Sequence, residues 1–211
     1  MELSARLEQV LDARALSALP KGTITSLETL DALLTRWGKA VDLVGFKTDE
    51  EYVRRYFGEA LAALAWLPAR GHALDIGSGG GSPALPLAVA RRALAWTLVE
   101  ANERKAVFLD EAIRALALDD ARVVAERYEN MVPETPLDVV TLRGVAASAA
   151  VLEKIGGEIR PGGRLLWFSS RQRLAGALER LDPAWLHVAG PTRLVSEGGG
   201  GGFLLVVEAR G

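Results

Sequence analysis

The chain has 211 residues, of which 49% are hydrophobic and 25% are charged, and its formal net charge is −2. This length fits one main hydrophobic core with room for a helical extension. The slightly acidic balance argues against general binding to polyanions, because nonspecific affinity for nucleic acid depends mainly on lysine and arginine. With no cysteine and only 2 histidines, the chain excludes disulfides, thiolate chemistry and a zinc site made from histidines alone.

No long apolar run and no basic start followed by a cleavage site occur in the chain. The sequence therefore predicts a cytoplasmic protein with neither a signal peptide nor a membrane span. It also predicts a monomer, since no extra apolar helix is left unexplained by the expected fold.

Two groups of basic residues are candidates for a local nucleic-acid-binding face. The first comprises Arg160, Arg164, Arg171 and Arg173, and the second comprises Lys39, Lys47, Arg54 and Arg55. Clustered basic residues of this kind favour contact with phosphates. An ordinary solvated surface explains the same residues, so both interpretations stay open.

The first seventy residues have the apolar spacing of helices, and residues 1–70 are expected to form an N-terminal helical cap. A side-chain cap is predicted at the Ser26 start of the second helix. The third helix is predicted to start at Thr48, where acidic residues follow and favour the positive end of the helix dipole. The predicted helices run over residues 2–19, from Thr25 or Ser26 to about Gly38, and from Thr48 to just before Pro68.

Residues 71–211 are expected to form one α/β domain, because short apolar runs alternate with helical segments from Ala73 onward. The predicted strands are 73–76, 96–100, 121–125, 139–142, 164–168 and 203–209, and the predicted helices lie near 83–92, 103–117, 145–159 and 171–181. Such alternation indicates βαβ units and a mainly parallel sheet. The last strand follows the glycine run 198–202 and is expected to pair antiparallel at the far side of the sheet, with the glycine run as a hairpin connection.

The strongest functional signal is the segment Asp75–Gly81, in which a buried-looking strand ends in an acid and runs into a glycine-rich turn. Glycines at 77, 79 and 81 allow a sharp bend and let a ligand approach the backbone amides. Ligands of open parallel sheets bind at the carboxyl ends of the strands, where this turn falls. Asp75 is expected to anchor either backbone amides or the amino group of a ligand. A purely structural tight turn is the alternative.

A second acid, Glu100, follows the second predicted strand. A carboxylate at this place can accept hydrogen bonds from both ribose hydroxyls of a nucleoside, whereas an exposed glutamate at a strand end is the alternative. NAD binds in the same kind of crevice, but the Gly-x-Gly-x-x-Gly spacing is missing here, because Gly81 is followed by Ser82 and Pro83. The pattern Asp-x-Gly-x-Gly-x-Gly therefore favours S-adenosylmethionine (SAM) and a class I SAM-dependent methyltransferase fold, which is Rossmann-like.

Residues 33–168 resemble the RsmG (GidB) family of ribosomal RNA methyltransferases. The resemblance is carried by Trp37–Leu43, Asp75–Ala88, and Glu100 with the helix Arg104–Leu109. It implies a class I SAM-dependent methyltransferase with an N-terminal helical cap and a last antiparallel strand. It also implies methylation of N7 of a guanine in small-subunit (16S) ribosomal RNA, with S-adenosylhomocysteine (SAH) as the product.

The resemblance also assigns residues. Glu126 and Arg127 fall where the family's loop lies against the adenine, and Arg143 matches the arginine of a serine-arginine-alanine motif. Arg143 is the candidate for orienting an acceptor or the methionine carboxylate, because a guanidinium forks onto planar oxygen pairs; a surface ion pair is the alternative. The expected cofactor-binding residues are Asp75, Gly77, Gly79, Gly81, Glu100, Glu126, Arg127 and Arg143.

Several positions depart from the family's pattern. The asparagine and threonine of its first motif appear as Asp42 and Val44, and its loop phenylalanine appears as Ser82. The histidine and aspartate of its arginine-histidine-x-x-aspartate segment appear as Arg55 and Gly58, and its lysine-glycine pair appears as Ser169 and Ser170. Besides a ribosomal RNA methyltransferase, the chain is therefore compatible with a methyltransferase for another acceptor, or with a SAM-binding protein of little catalytic activity.

Overall fold

A computed structural model describes residues 2–11, 16–38, 40–145, 147–178, 181, 185–194 and 202–210. Lys39 of the second basic group and the glycines at 198–201 lie outside the described residues. Within the described ranges, no helix is long and apolar enough to cross a membrane.

The N-terminal segment is helical. It contains α1 (Leu3–Leu7), α2 (Thr23–Trp37), α3 (Asp49–Tyr52), a π-helical turn (Val53–Gly58), α4 (Glu59–Ala62) and a 3-10 turn (Ala63–Trp66). The predicted helix start at Thr48 is confirmed, and the Thr48 hydroxyl caps the helix by accepting a hydrogen bond of 3.1 Å from the Glu51 amide.

Two details of the predicted helices are wrong. The first helix ends at Leu7. Leu11 follows in a turn and is buried in the same hydrophobic core as Leu3 and Leu7. The apolar spacing over 2–19 therefore reflects burial rather than a continuous helix. The second helix begins at Thr23 with Gly22 as its N-cap at φ +82°, not at Ser26. A glycine enters this left-handed conformation at little cost, which allows the helix to start earlier.

One seven-stranded sheet organises the rest of the chain. Its strands are β1 (Gly71–Ile76), β2 (Leu94–Val99), β3 (Ala121–Val124), β4 (Leu137–Arg143), β5 (Ile159–Ser169), β6 (Trp185–Arg193) and β7 (Phe203–Ala209), in the order β3-β2-β1-β4-β5-β7-β6. The accompanying helices are α5 (Ala84–Ala90), α6 (Glu103–Ala115), α7 (Ala149–Glu158) and α8 (Arg171–Leu178). Strands β1 to β5 pair in parallel, which confirms the predicted α/β architecture.

The end of the sheet differs from the prediction. β7 pairs antiparallel as expected, but it lies between β5 and β6 rather than at the far side. The strand at this edge is β6, which was not predicted from the sequence, because Gly190 and Pro191 interrupt its pattern. Its pairing with β7 shifts register between Ala189 and Thr192. Proline is tolerated in an edge strand, since one side of that strand has no hydrogen-bonded neighbour.

The helical segment and the sheet share a hydrophobic core. One cluster of buried side chains contains Leu27 and Phe57 from the helical segment and Leu85 from α5, which follows β1. The predicted boundary coincides with the start of β1, but no gap in the packing marks it. The division into a cap of residues 1–70 and a domain of residues 71–211 stays a prediction.

Candidate functional site

The glycine loop follows β1 at the carboxyl edge of the sheet. Gly77, Gly79 and Gly81 adopt φ angles of +67°, +54° and +90°, a region that costs other residues about 1–2 kcal/mol each. A Cβ on Gly77 would lie 2.6 Å from Cγ2 of Val145, and one on Gly81 would collide with Leu85. The backbone therefore requires glycine at these positions.

Glu100 is buried directly beside this loop, with 9% of its surface exposed. Its Oε2 accepts a hydrogen bond of 2.7 Å from the Gly79 amide, and its Oε1 accepts one of 2.8 Å from the Asn102 amide. These bonds fix the carboxylate against the loop, and each oxygen keeps a lone pair for a further donor. The alternative of an exposed glutamate at a strand end is wrong.

A pocket of about 160 Å³ opens between the glycine loop and the loop after β3. Its lining brings together the predicted cofactor residues Gly77, Glu100, Glu126 and Arg127. This pocket is not lined by Asp75, which lies at the end of β1, nor by Gly79 and Gly81 of the adjoining turn. Arg143 lines a neighbouring pocket. Their roles toward a cofactor stay predictions.

Asp75 is buried, with 1% of its surface exposed, at the end of β1. Its Oδ1 accepts a hydrogen bond from the hydroxyl of Thr141, which faces it across the β1–β4 pair. Its Oδ2 has no hydrogen-bond partner among the described residues, and no described backbone amide bonds to the carboxylate. Burial raises the pKa of Asp75 to about 6, although the hydrogen bond from Thr141 opposes that rise. A buried oxygen without a partner suits a ligand's amino group better than the predicted amide anchor.

This raised pKa predicts a pH-dependent stability. Between the ordinary pKa of 3.8 and the folded value of about 6, the folded protein holds the proton of Asp75 more tightly than the unfolded chain does. The contribution of Asp75 to the free energy of unfolding is therefore fully present below pH 3.8 and lost as pH rises to about 6. Between these two pH values, the contribution of Asp75 to the free energy of unfolding falls by about 3 kcal/mol.

Asp75→Asn preserves the shape of the side chain but cannot ionise, so it should remove this dependence. Urea unfolding at several pH values between pH 4 and pH 7 measures the free energy of unfolding of both proteins. As pH rises, the variant is expected to become more stable relative to the wild type. A constant difference across that range would contradict the raised pKa.

Arg143 ends β4 and faces a second pocket of about 490 Å³. Its guanidinium forms an ion pair with Glu59, which is only 1% exposed, and donates a hydrogen bond of 3.1 Å to the Ser82 hydroxyl. It also lies 5.7 Å from the centre of the Phe168 ring. The alternative of a surface ion pair is wrong, because the pair is buried.

Three of the positions that depart from the family's pattern line the second pocket. Arg55, Ser169 and Ser170 line it together with Arg143 and Arg173, and Ser82 reaches it through its hydrogen bond to Arg143. Val44 instead packs at the glycine loop, where a Cβ on Gly80 would lie 3.3 Å from its Cγ1. The pocket of Arg143 therefore involves several departing positions, and none of them lines the pocket of Glu100.

The predicted basic face of residues 160–173 does not form one surface. Arg160 pairs with Asp138 and Arg164 pairs with Glu208, whereas Arg173 follows the carboxyl end of β5 and lines the pocket of Arg143. An extended strand separates its residues by about 3.3 Å each, so Arg164 lies on the order of 15 Å from that pocket. In the second basic group, Arg54 is buried with 8% exposure.

Two residues at the site have no role in the sequence analysis. Thr141 bonds Asp75 from an adjacent strand, and Glu59 pairs with Arg143 from α4. A polar residue inside the apolar strand β4 was a detectable signal for Thr141. The signal for Glu59 was weaker. Gly58 stands where the family has an aspartate, and Glu59 is an acid one position later.

Comparison with known proteins gives consistent results. The model of the GidB family, described as rRNA small subunit methyltransferase G, matches residues 23–189. The ribosomal RNA small subunit methyltransferase G of Xanthomonas axonopodis pv. citri is 38% identical over 165 residues, which cover 78% of this chain and 76% of that protein.

Solved structures share the fold at low sequence identity. A putative methyltransferase from Escherichia coli aligns with a TM-score of 0.58 at 16% identity over 79% of this chain and 89% of its own. A putative methyltransferase from Streptococcus mutans in complex with SAH aligns with a TM-score of 0.52 at 14% identity over 78% of this chain and 99% of its own. The chain thus has the Rossmann-like fold of class I methyltransferases, and it belongs to the rRNA small subunit methyltransferase G family.

Proposed function

We propose that this protein transfers a methyl group from SAM to N7 of a guanine in small-subunit (16S) ribosomal RNA. The observation that carries the proposal is a pair of adjoining pockets at the carboxyl edge of the sheet, one with Glu100 and the glycine loop and one lined by Arg55, Arg143 and Arg173. Val145 lines the first pocket, and the two residues before it, Arg143 and Gly144, line the second, so a methyl group held in the first would lie next to an acceptor in the second. The name of the relative from Xanthomonas, a ribosomal RNA methyltransferase, supports the same substrate.

The residues of the first pocket fit SAM. Glu100 would accept hydrogen bonds from the ribose hydroxyls, and Glu126 and Arg127 would lie against the adenine. The unpartnered Oδ2 of Asp75 would accept a hydrogen bond from the cationic amino group of the methionine portion. When bound, SAM supplies an electrophilic methyl group on its sulfonium and leaves as SAH.

The residues of the second pocket suit an anionic acceptor. A ring nitrogen such as guanine N7 carries a free lone pair, so the chain needs to position it in line with the methyl group and exclude water rather than supply a base. Arg143 would orient the acceptor by donating to the neighbouring guanine oxygen. Arg55 and Arg173 would neutralise phosphate charge, which the overall net charge of −2 does not provide.

Arg55 and Glu59 both come from the first seventy residues. We therefore propose that residues 1–70 cap the SAM-binding domain of residues 71–211 and complete its acceptor pocket. One chain supplies both pockets, which supports a monomer, and ribosomal RNA as substrate supports a cytoplasmic location.

A methyl-transfer assay tests the proposal. The protein is incubated with SAM labelled on its methyl group and with unmethylated small-subunit RNA, either as a protein-free transcript or assembled into small subunits. Label is expected in one of the two, at a guanine that borohydride and aniline then cleave as 7-methylguanine. Saturable SAM binding without label in either RNA would indicate another acceptor. Absence of SAM binding would contradict the methyltransferase proposal altogether.

A further inference from the structure

Glu59 is a buried carboxylate for which neither the resemblance nor the proposed reaction provides a role. Its Oε2 pairs with Nη2 of Arg143, and its Oε1 accepts a hydrogen bond of 2.7 Å from the Gly202 amide. Both oxygens are therefore engaged by groups from different parts of the fold, the end of β4 and the residue before β7. The side chain is thus held by its own helix, by the end of β4 and by the residue before β7, which leaves it little freedom to reorient.

The helix that carries Glu59 explains how the side chain reaches Arg143. The π-helical turn Val53–Gly58 ends with the Glu59 amide bonded to the Arg54 carbonyl, five residues earlier. In a regular α-helix the amide of Gly58 would make that bond, since the repeat spans four residues. The extra residue of the π-turn thus gives Glu59 the place along the helix that residue 58 would otherwise occupy.

That displacement occurs next to a departure from the family's pattern. The arginine-histidine-x-x-aspartate segment would put an aspartate at position 58, where this chain has a glycine. We infer that Glu59 supplies this carboxylate from one position later and is the positioning residue that orients Arg143 toward the acceptor. The inference rests on the proposed function, because it assigns to Arg143 the orienting role in methyl transfer.

Ser82, another departing position, completes the arrangement. Its hydroxyl donates a hydrogen bond of 2.7 Å to the Tyr56 carbonyl and accepts one of 3.1 Å from Nη1 of Arg143. Glu59 and Ser82 hold the two terminal nitrogens of the guanidinium, so its orientation in the pocket is determined from both sides. Charge-assisted bonds of this kind set geometry as well as energy.

A double-mutant cycle tests the inference. Glu59→Gln, Arg143→Gln and the double variant are compared by the single-turnover rate of methyl transfer to the RNA substrate, the KM for that RNA and the Kd for SAM. Glu59→Gln alone is expected to lower the rate by about 10- to 100-fold, with the Kd for SAM nearly unchanged. In the Arg143→Gln background, the same substitution should change the rate by less than about twofold, because the group it orients is gone.

Two further variants separate positioning from general destabilisation. Glu208→Gln removes a carboxylate of the same kind from the ion pair with Arg164 on β5, away from both pockets, and should leave the rate unchanged. Gly202→Ala keeps both charges but places a Cβ 2.6 Å from Cδ of Glu59, so it should lower the rate only while Arg143 is present.

Each outcome decides a different point. An unchanged rate in Glu59→Gln, or an equal loss with and without Arg143, would overturn the positioning role while leaving the proposed function intact. A wild-type protein that binds SAM but methylates neither RNA would overturn the proposed function itself and the inference with it. A loss that depends on Arg143 supports both.

Discussion

Gly79→Arg is expected to abolish measurable SAM binding, with the Kd rising by at least about 100-fold, or roughly 3 kcal/mol. Gly79 lies in the glycine loop at φ +54°, and its amide donates the hydrogen bond that holds Glu100. A Cβ at this position would lie 3.8 Å from the Gly77 carbonyl oxygen, an ordinary contact, so the substitution adds backbone strain and a long cationic side chain to the turn that adjoins the proposed cofactor pocket. Calorimetric titration with SAM and with SAH measures the effect.

The matched control is Gly162→Arg. Gly162 also has a positive φ, +76°, and nothing lies within 4 Å of a Cβ built on it, but it belongs to the start of β5, away from the glycine loop. Both substitutions therefore impose similar backbone strain, and only the one at Gly79 should affect binding. Tight binding by Gly79→Arg, or equal losses in the two variants, would contradict the proposed cofactor site.

Arg143→Gln is expected to lower the rate of methyl transfer by about 100- to 1,000-fold, the range typical of an electrostatic group at a reacting centre. The Kd for SAM should change little, because Arg143 lines the second pocket and not the one with Glu100. Rate constants measured at saturating SAM, together with calorimetric titration, separate the two effects.

Stability has to be followed in the same experiment. Arg143→Gln leaves the carboxylate of Glu59 buried without its cation, and losses of about 3–5 kcal/mol accompany such changes. Arg143→Lys keeps the charge but not the planar fork, and Arg164→Gln removes an arginine from an ion pair elsewhere on the sheet. Full activity of a folded Arg143→Gln protein would contradict a role for this residue in the reaction, whereas a similar loss in Arg164→Gln would point to destabilisation alone.

Local patterns were sufficient for much of this molecule. The helix start at Thr48 and the turn at Gly77–Gly81 depend on neighbouring residues, because helix ends and left-handed turns are satisfied within a few positions. Apolar runs bounded by turn residues marked β1 to β5 and β7, including β3 at the opposite edge of the sheet. The same reasoning missed β6, whose glycine and proline are tolerated only because it lies at the edge.

The sequence by itself therefore determined the α/β architecture, the glycine loop and the carboxylate that follows β2. Tertiary structure alone decided how the acceptor side is built, since Glu59 and Arg143 are 84 positions apart and Glu59 and Gly202 are 143 apart. A single π-turn shifts which residue of the helix reaches Arg143, and no pattern of apolar spacing encodes that shift. Backbone conformation follows from near neighbours, whereas a buried ion pair forms only where packing brings its partners together and removes them from water.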